Sequence, residues 1–280
     1  MKLTAIEGNT QSLDGGASFG NAPKAVWTKW YTPDVHNRIK LATRTLLVEF
    51  DDGLKVLFET GVGAFLEPSL KTRYGIDDSA HQLLENLSKH HLQHEEIDAV
   101  VLSHLHFDHA GGLLSTWQED KKSELLFPNA RYIVSAKHWQ RAVKPHPRDR
   151  ASFIPELPQL LLDSGRLELI DGQQSSILDG KVKVLFSDGH TPGLMLSEIA
   201  SPNGPLVYSS DLVAGAPWVH IPITMGYDRF PEQVINEKAE LLADLYQRDG
   251  RLFFCHDPNM ACGKLLRDEQ GRFSVCADPL

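Results

Sequence analysis

Ser103-His104-Leu105-His106-Phe107-Asp108-His109-Ala110-Gly111-Gly112 sets three imidazoles and one carboxylate within six residues, directly before two glycines. In an extended segment, side chains two apart point the same way, so His104, His106 and Asp108 are expected to converge on one side. His109 points elsewhere unless the chain turns, and Gly111-Gly112 make a turn easy. The expected result is two ligand sets from one loop: His104 and His106 toward one ion, Asp108 and His109 toward a neighbour. Imidazole with carboxylate suits zinc best, and iron, manganese or cobalt accept the same donors. The alternative is a run of solvated surface histidines. Ligand-type side chains at four of six positions, straight after an apolar run, argue against it.

That apolar run, Ile97-Asp98-Ala99-Val100-Val101-Leu102, reads as a buried strand delivering Ser103 and His104 at its end. Three more strands behave alike. Residues 181–186 lead to Ser187-Asp188-Gly189-His190-Thr191-Pro192-Gly193. Residues 206–209 lead to Ser210-Asp211. Residues 251–255, read as the last buried strand, lead to His256-Asp257-Pro258. Four apolar strands each ending in a metal-type ligand are a strong signal, because α/β proteins place their chemistry at such strand ends.

The remainder frames these loops. Residues 1–20 read as a strand followed by turns at Asp14-Gly15-Gly16. Residues 43–50 and 55–59 read as a hairpin about Asp51-Asp52-Gly53. A mixed region extends to Asp78. Residues 79–92 read as a helix with Leu83, Leu84, Leu87 and His91 on one face, whose His81, His90, His91 and His94 are solvated or helix-end residues rather than ligands. A helix start follows near 108–112, then a strand at 131–134 and a helix from Ala136. Residues 145–166 read as a surface excursion with a short helix at 157–162, residues 167–170 as a strand, and 177–180 as a turn. Another strand covers 195–200, and 231–247 reads as a helix with Val234, Ile235, Leu241, Leu242 and Leu245 on one face.

The bulk numbers exclude several classes. With 280 residues, 41% hydrophobic and 23% charged, the chain suits a globular α/β protein with a full core. A net charge of -9 and no long lysine or arginine run give no nucleic-acid footprint. No run approaches the ~18 apolar residues of a membrane span. Met1-Lys2-Leu3-Thr4-Ala5-Ile6-Glu7 lacks the pattern of a signal peptide. Three cysteines, Cys255, Cys262 and Cys276, read as reduced thiols in a cytoplasmic protein. Cys255 adjoins His256, so it is either a ligand or a small buried hydrophobe, and burial is the simpler reading.

His-x-His-x-Asp-His, then Gly189-His190-Thr191-Pro192-Gly193, then Ser210-Asp211, then Cys255-His256-Asp257 resembles the metallo-β-lactamase superfamily of hydrolases, over roughly residues 1–260. The resemblance implies an α/β fold, the four-layer αββα sandwich, as one metallo-hydrolase domain over 1–280. It implies two divalent ions per chain. One would be held by His104, His106 and His190, the other by Asp108, His109 and His256, with Asp211 bridging both. A hydroxide shared by the ions would attack, and Asp108 would also carry a proton.

Within the superfamily, His106 stands where oxygen-reducing di-iron relatives carry glutamate, and true β-lactamases lack a bridging aspartate at the place of Asp211. The acidic charge argues against tRNA-processing nucleases, and the short tail after His256 argues against glyoxalase II relatives. The Ser-His-Leu-His-Phe-Asp-His-Ala-Gly-Gly string looks like that of the N-acyl-homoserine lactone lactonases, the quorum-quenching branch. The implied substrate is a small lactone or related carboxylic ester. Phosphodiester, phosphotriester or thioester hydrolysis is the alternative, and a non-catalytic metal-dependent binding protein the third reading. Several such lactonases carry a tyrosine three residues after the bridging aspartate. Here that place is Ala214, with Tyr208, Tyr227 or His220 as stand-ins. The aromatic stretches 19–31 and 218–230 give Phe19, Trp27, Trp218, His220 and Tyr227 as expected contacts for an apolar substrate arm. Core packing or a homodimer contact would use the same residues.

Overall fold

The computed structural model describes residues 1–172, 175–178 and 180–280, arranged as two compact units: Met1–Gln11 with Ala42–Asp179, and Ser12–Leu41 with Gly180–Leu280. The expected turn at 177–180 has Ile177, Leu178 and Gly180 in turns, and Asp179 lies outside the described residues.

The first unit is built on a six-stranded sheet. Its spatial order is Lys2–Ile6, Thr45–Glu49, Lys55–Phe58, Ala99–Val101, Arg131–Ser135, Leu167–Ile170. The first three strands are antiparallel, with Glu49 opposite Lys55 across the expected hairpin. Its turn places Gly53 at φ +91°, a left-handed conformation that suits glycine. The last three join in parallel. Parallel neighbours need crossover connections, which here carry the helices Gln82–Lys89, Ala136–Val143 and Leu157–Asp163. Ala99–Val101 is buried on both faces, so it reads as an unbroken apolar run rather than an alternation. Leu83 and Leu87 turn the helix after His81 into the core with Leu57, Val100, Leu102 and Tyr132.

Helix Pro68–Tyr74 is absent from the sequence reading. It opens on Pro68 and closes on a left-handed Gly75, but it buries no residue, so no apolar period marks it.

The second unit has its own six-stranded sheet, ordered Phe273–Ala277, Cys262–Arg267, Arg251–Phe253, Leu206–Tyr208, Leu194–Ile199, Val182–Ser187. One adjacent pair is parallel, Leu206–Tyr208 with Arg251–Phe253, and helix Pro231–Gln247 lies in the crossover between them. That helix buries Val234, Leu241, Leu242 and Leu245 as expected, with Ile235 half-buried. Two strands follow residues 251–255, which corrects their reading as the last. Cys262–Arg267 and Phe273–Ala277 form a hairpin whose outer strand is largely exposed, so neither burial nor composition announces it. Gly15-Gly16 opens a short helix, Gly15–Phe19, rather than a turn. Asp14 caps it by accepting from the Ala17 N–H at 2.7 Å.

Among the described residues, no helix is long and apolar enough to cross a membrane.

Candidate metal centre

In the first unit, strand Ala99–Val101 ends and the chain runs extended through His104 to His106. Alternation holds that far: the two rings lie 4.4 Å apart between centroids, with ligand atoms within 4.8 Å. His106 then becomes the N-cap of the short helix Phe107–Ala110, so the helix, not alternation, sets the direction of Asp108 and His109. The His104 and His109 rings stand 4.0 Å apart. His104 and His109 are fully buried and His106 nearly so.

Gly111 and Gly112 work differently from the expectation. Neither has a positive φ. A Cβ on Gly112 would stand 2.1 Å from the Thr60 carbonyl oxygen, and one on Gly111 would stand 2.3 Å from that of Val62. The glycines admit close backbone approach, and that approach lets the Thr60 N–H reach the His109 carbonyl at 3.0 Å.

Glu59, at the end of strand Lys55–Phe58, is the residue the sequence reading missed. It is 2% exposed and accepts from His109 Nδ1 and from Ser103 Oγ. Ser103 Oγ in turn accepts from His104 Nδ1 at 2.8 Å. One carboxylate thereby makes Nδ1 the protonated nitrogen in two rings and leaves Nε2 of each as the lone-pair nitrogen, the usual support for a metal-binding imidazole. The ligand atoms of Glu59, His104 and His109 fall within 4.8 Å of one another. Gln11 donates to Asp108 Oδ2 at 2.6 Å. Buried His138 accepts the Leu105 N–H at 2.8 Å, which fastens the backbone between the first two histidines.

In the second unit, His190 follows strand Val182–Ser187, Asp211 follows Leu206–Tyr208, and His256 follows Arg251–Phe253. Because the last two strands are parallel neighbours, Asp211 and His256 leave the sheet at the same edge. Asp211 Oδ2 is 3.2 Å from His190 Nε2, and its Oδ1 is 3.2 Å from His256 Nε2. One carboxylate thus offers an oxygen to each imidazole. Asp228, also unforeseen, accepts from His190 Nδ1 at 2.8 Å and from the Met225 N–H at 2.6 Å. It does for His190 what Glu59 does for His109. Burial opposes charge on His256, but Cys255 and Asp211 beside it more than offset that and hold its pKa well above the usual histidine value. Asp257 is a turn-former. Its Oδ1 accepts from the N–H groups of Asn259 and Met260 and its Oδ2 from that of Ala216.

The donors fit a divalent ion. Each set offers imidazole Nε2 and carboxylate oxygens, and three imidazoles have Nδ1 given to a buried carboxylate or to a serine bound to one.

Phe19, Trp27 and Trp218 are buried in a stack, with Phe19 at 4.6 Å from Trp218 and 5.8 Å from Trp27. Trp218 Nε1 donates to the Ser18 carbonyl at 3.0 Å. Tyr208 is buried against Phe253, Ala214 is buried, and Tyr227 and His220 are exposed. Each unit has an open, largely apolar space. In the second, a cavity of about 530 Å³ is lined by Val26, Trp30, His220, Ile223, Phe273 and Val275 among others. In the first, a cavity of about 560 Å³ is lined by Phe65, Leu70, Tyr74, Phe107, Phe153 and Leu160 among others. Phe107 sits between His106 and Asp108 in the chain, and the Phe153 ring meets His106 edge-on at 4.9 Å.

Histidines and aspartates gathered at strand ends define a metal-centred α/β protein, and residues 39–256 match the metallo-beta-lactamase superfamily. The chain belongs to that superfamily and has its fold. It is similar to a solved structure from Staphylococcus aureus described as a probable metal-dependent hydrolase: 25% identity, 100% of this chain and 98% of that one, TM-score 0.86. It is also similar to AidC, a dizinc quorum-quenching lactonase with a product bound: 23% identity, 99% of this chain and 94% of that one, TM-score 0.74. The N-acyl homoserine lactonase AiiA of Bacillus thuringiensis subsp. kurstaki is 23% identical over 159 residues, 52% of this chain. The chain spans about half the length of the curated relatives it matches, 54% for AiiA. Membership of the superfamily supports a metal-dependent hydrolase.

Proposed function

We propose that the two ligand sets act together in a metal-dependent hydrolase that opens a lactone or related carboxylic ester carrying an apolar arm. His104, His106 and His190 would hold one ion and Asp108, His109 and His256 the other, with Asp211 shared. Zinc is the expected metal. The observation that carries the reading is the carboxylate support behind the imidazoles. Glu59 stands behind His104 and His109, and Asp228 behind His190, each fixing Nε2 as the donor nitrogen.

Two divalent ions held there would supply Lewis acidity to the reaction. The protein's own groups do the rest. Asp108, which accepts from Gln11 at 2.6 Å, would take a proton from the attacking water and return it to the leaving alkoxide. The apolar cavity that Phe107 and Phe153 line excludes water and receives the substrate's arm. An acyl-homoserine lactone has this form and would make the activity quorum-quenching. Sites built for small apolar ligands do not themselves name the substrate, so the reaction class rests on the ligand chemistry.

The test is metal analysis of the purified chain with a substrate panel of lactones, carboxylic esters, thioesters and phosphotriesters. About two ions per chain, with lactone turnover lost on chelation, is the expected result. Turnover of phosphotriesters but not lactones would move the protein to the other ester class. Metal binding with no turnover of any of them would make it a binding protein.

A further inference from the structure

We propose that Cys255 is a thiolate ligand of the ion that Asp211 and His256 hold. The inference rests on the metal reading above and adds a donor to it. Cys255 is 1% exposed, and its Sγ lies 3.8 Å from Asp211 Oδ1. The same oxygen is 3.2 Å from His256 Nε2, and the three ligand atoms fall within 4.8 Å of one another. With Cys255 added, that ion has five protein donors, and at zinc–sulfur, zinc–nitrogen and zinc–oxygen bond lengths adjacent donors of one ion stand about 3 to 3.6 Å apart. The His256–Asp211 separation falls in that range, and the Cys255–Asp211 separation lies just above it.

Two consecutive residues face one carboxylate because the chain turns after the strand. The His256 N–H is held by the Ala214 carbonyl at 3.0 Å, and Asp257 gathers the N–H groups of Asn259, Met260 and Ala216. Cys262 is buried too, and burial is the first cause that pushes its thiol pKa up to about 11, but no imidazole stands among the groups acting on it. Cys255 is placed beside a carboxylate and an imidazole instead.

On ligation the S–H bond breaks, its proton leaves to solvent and a sulfur–metal bond forms, with no change of oxidation state. A soft donor at one ion favours zinc or cadmium there over manganese.

The test uses full-length protein stripped with a chelator and titrated with cobalt(II), reading metal content and near-ultraviolet absorption together. The wild-type chain gives an intense thiolate-to-cobalt charge-transfer band. Cys255→Ser and Cys255→Ala lose it, while Cys262→Ser and Cys276→Ser keep it. Zinc retention against a chelator weakens by at least about tenfold in the two Cys255 variants. Full cobalt loading without the band, or a band that survives Cys255→Ser, overturns the assignment and leaves the two-ion reading standing. Failure to load cobalt at all removes both.

Discussion

The two units reach similar chemistry by opposite constructions. In the first, the four proposed donors come from one loop, and a single buried carboxylate, Glu59, orients two of the rings. Such density requires the loop backbone to sit against the 60–62 backbone at distances only glycine permits. In the second, the donors come from three separate strand ends. Sheet register rather than a loop brings them together: Tyr208 pairs with Phe253, and the residues after each face one edge. Here the shared element is itself a proposed donor, Asp211, and the orienting carboxylate, Asp228, serves one ring. A local motif concentrates its dependence in its support; a dispersed one concentrates it in its central ligand.

The largest effect should therefore follow loss of Asp211. Asp211→Ala is expected to abolish turnover and to lower the affinity of both ions, whereas His106→Ala abolishes turnover while lowering metal content by about one ion per chain. Metal analysis beside a rate assay reads both. Equal metal loss in the two variants would erase the contrast. The supporting carboxylates give a smaller effect, within the ~10–100-fold loss of metal affinity usual for such partners. Glu59→Gln should fall near the upper end because two imidazoles depend on it, and Asp228→Asn near the lower. Chelator competition measures each, and a reversed order would show that the number of rings served does not set the cost.

The same contrast explains what could be read from the chain. His104, His106, Asp108 and His109 announce themselves because their spacing is local. His190, Asp211 and His256 were legible only as ends of apolar strands. Glu59 and Asp228 were not legible: each is one carboxylate among 37 acidic residues, and only packing reveals which of them lie behind an imidazole. Within the aromatic stretches, three rings took the core-packing alternative for a related reason. Phe19, Trp27 and Trp218 look like pocket walls because they sit in polar-rich loops, yet they stack on one another as the core of the second unit. Helix Pro68–Tyr74 and the outer strand Phe273–Ala277 escaped because periodicity reports burial, and these elements bury little.

The effects with the least bearing on metal or turnover are on stability, and come from two buried bases that fasten the loops. His81, expected as a solvated or helix-end residue, stands at the helix N-cap but is 6% exposed, and its Nε2 is 3.1 Å from the Gly112 carbonyl, behind the ligand loop. Burial lowers its pKa to about 4, with the Gly112 contact opposing. Lys238, fully buried, donates to the Ile223 carbonyl at 2.5 Å and to that of His220 at 3.3 Å. Burial lowers its pKa to about 8, with Asp228 opposing. Both folded values lie below the unfolded ones, so in each window the unfolded chain binds more protons and stability rises with pH. For His81 the window runs from about 4 to 6.5, and acidification through it costs up to about 3 kcal/mol. For Lys238 it runs from about 8 to 10.5, with a gain of similar size on the alkaline side. Urea unfolding of His81→Gln between pH 7.5 and 5 should show a shallower loss than wild type, because glutamine can donate to Gly112 without titrating. Lys238→Met should flatten the alkaline rise and leave the acid limb unchanged. An acid limb of wild-type steepness in His81→Gln would mean that other groups, not this imidazole, set the acid sensitivity of the chain.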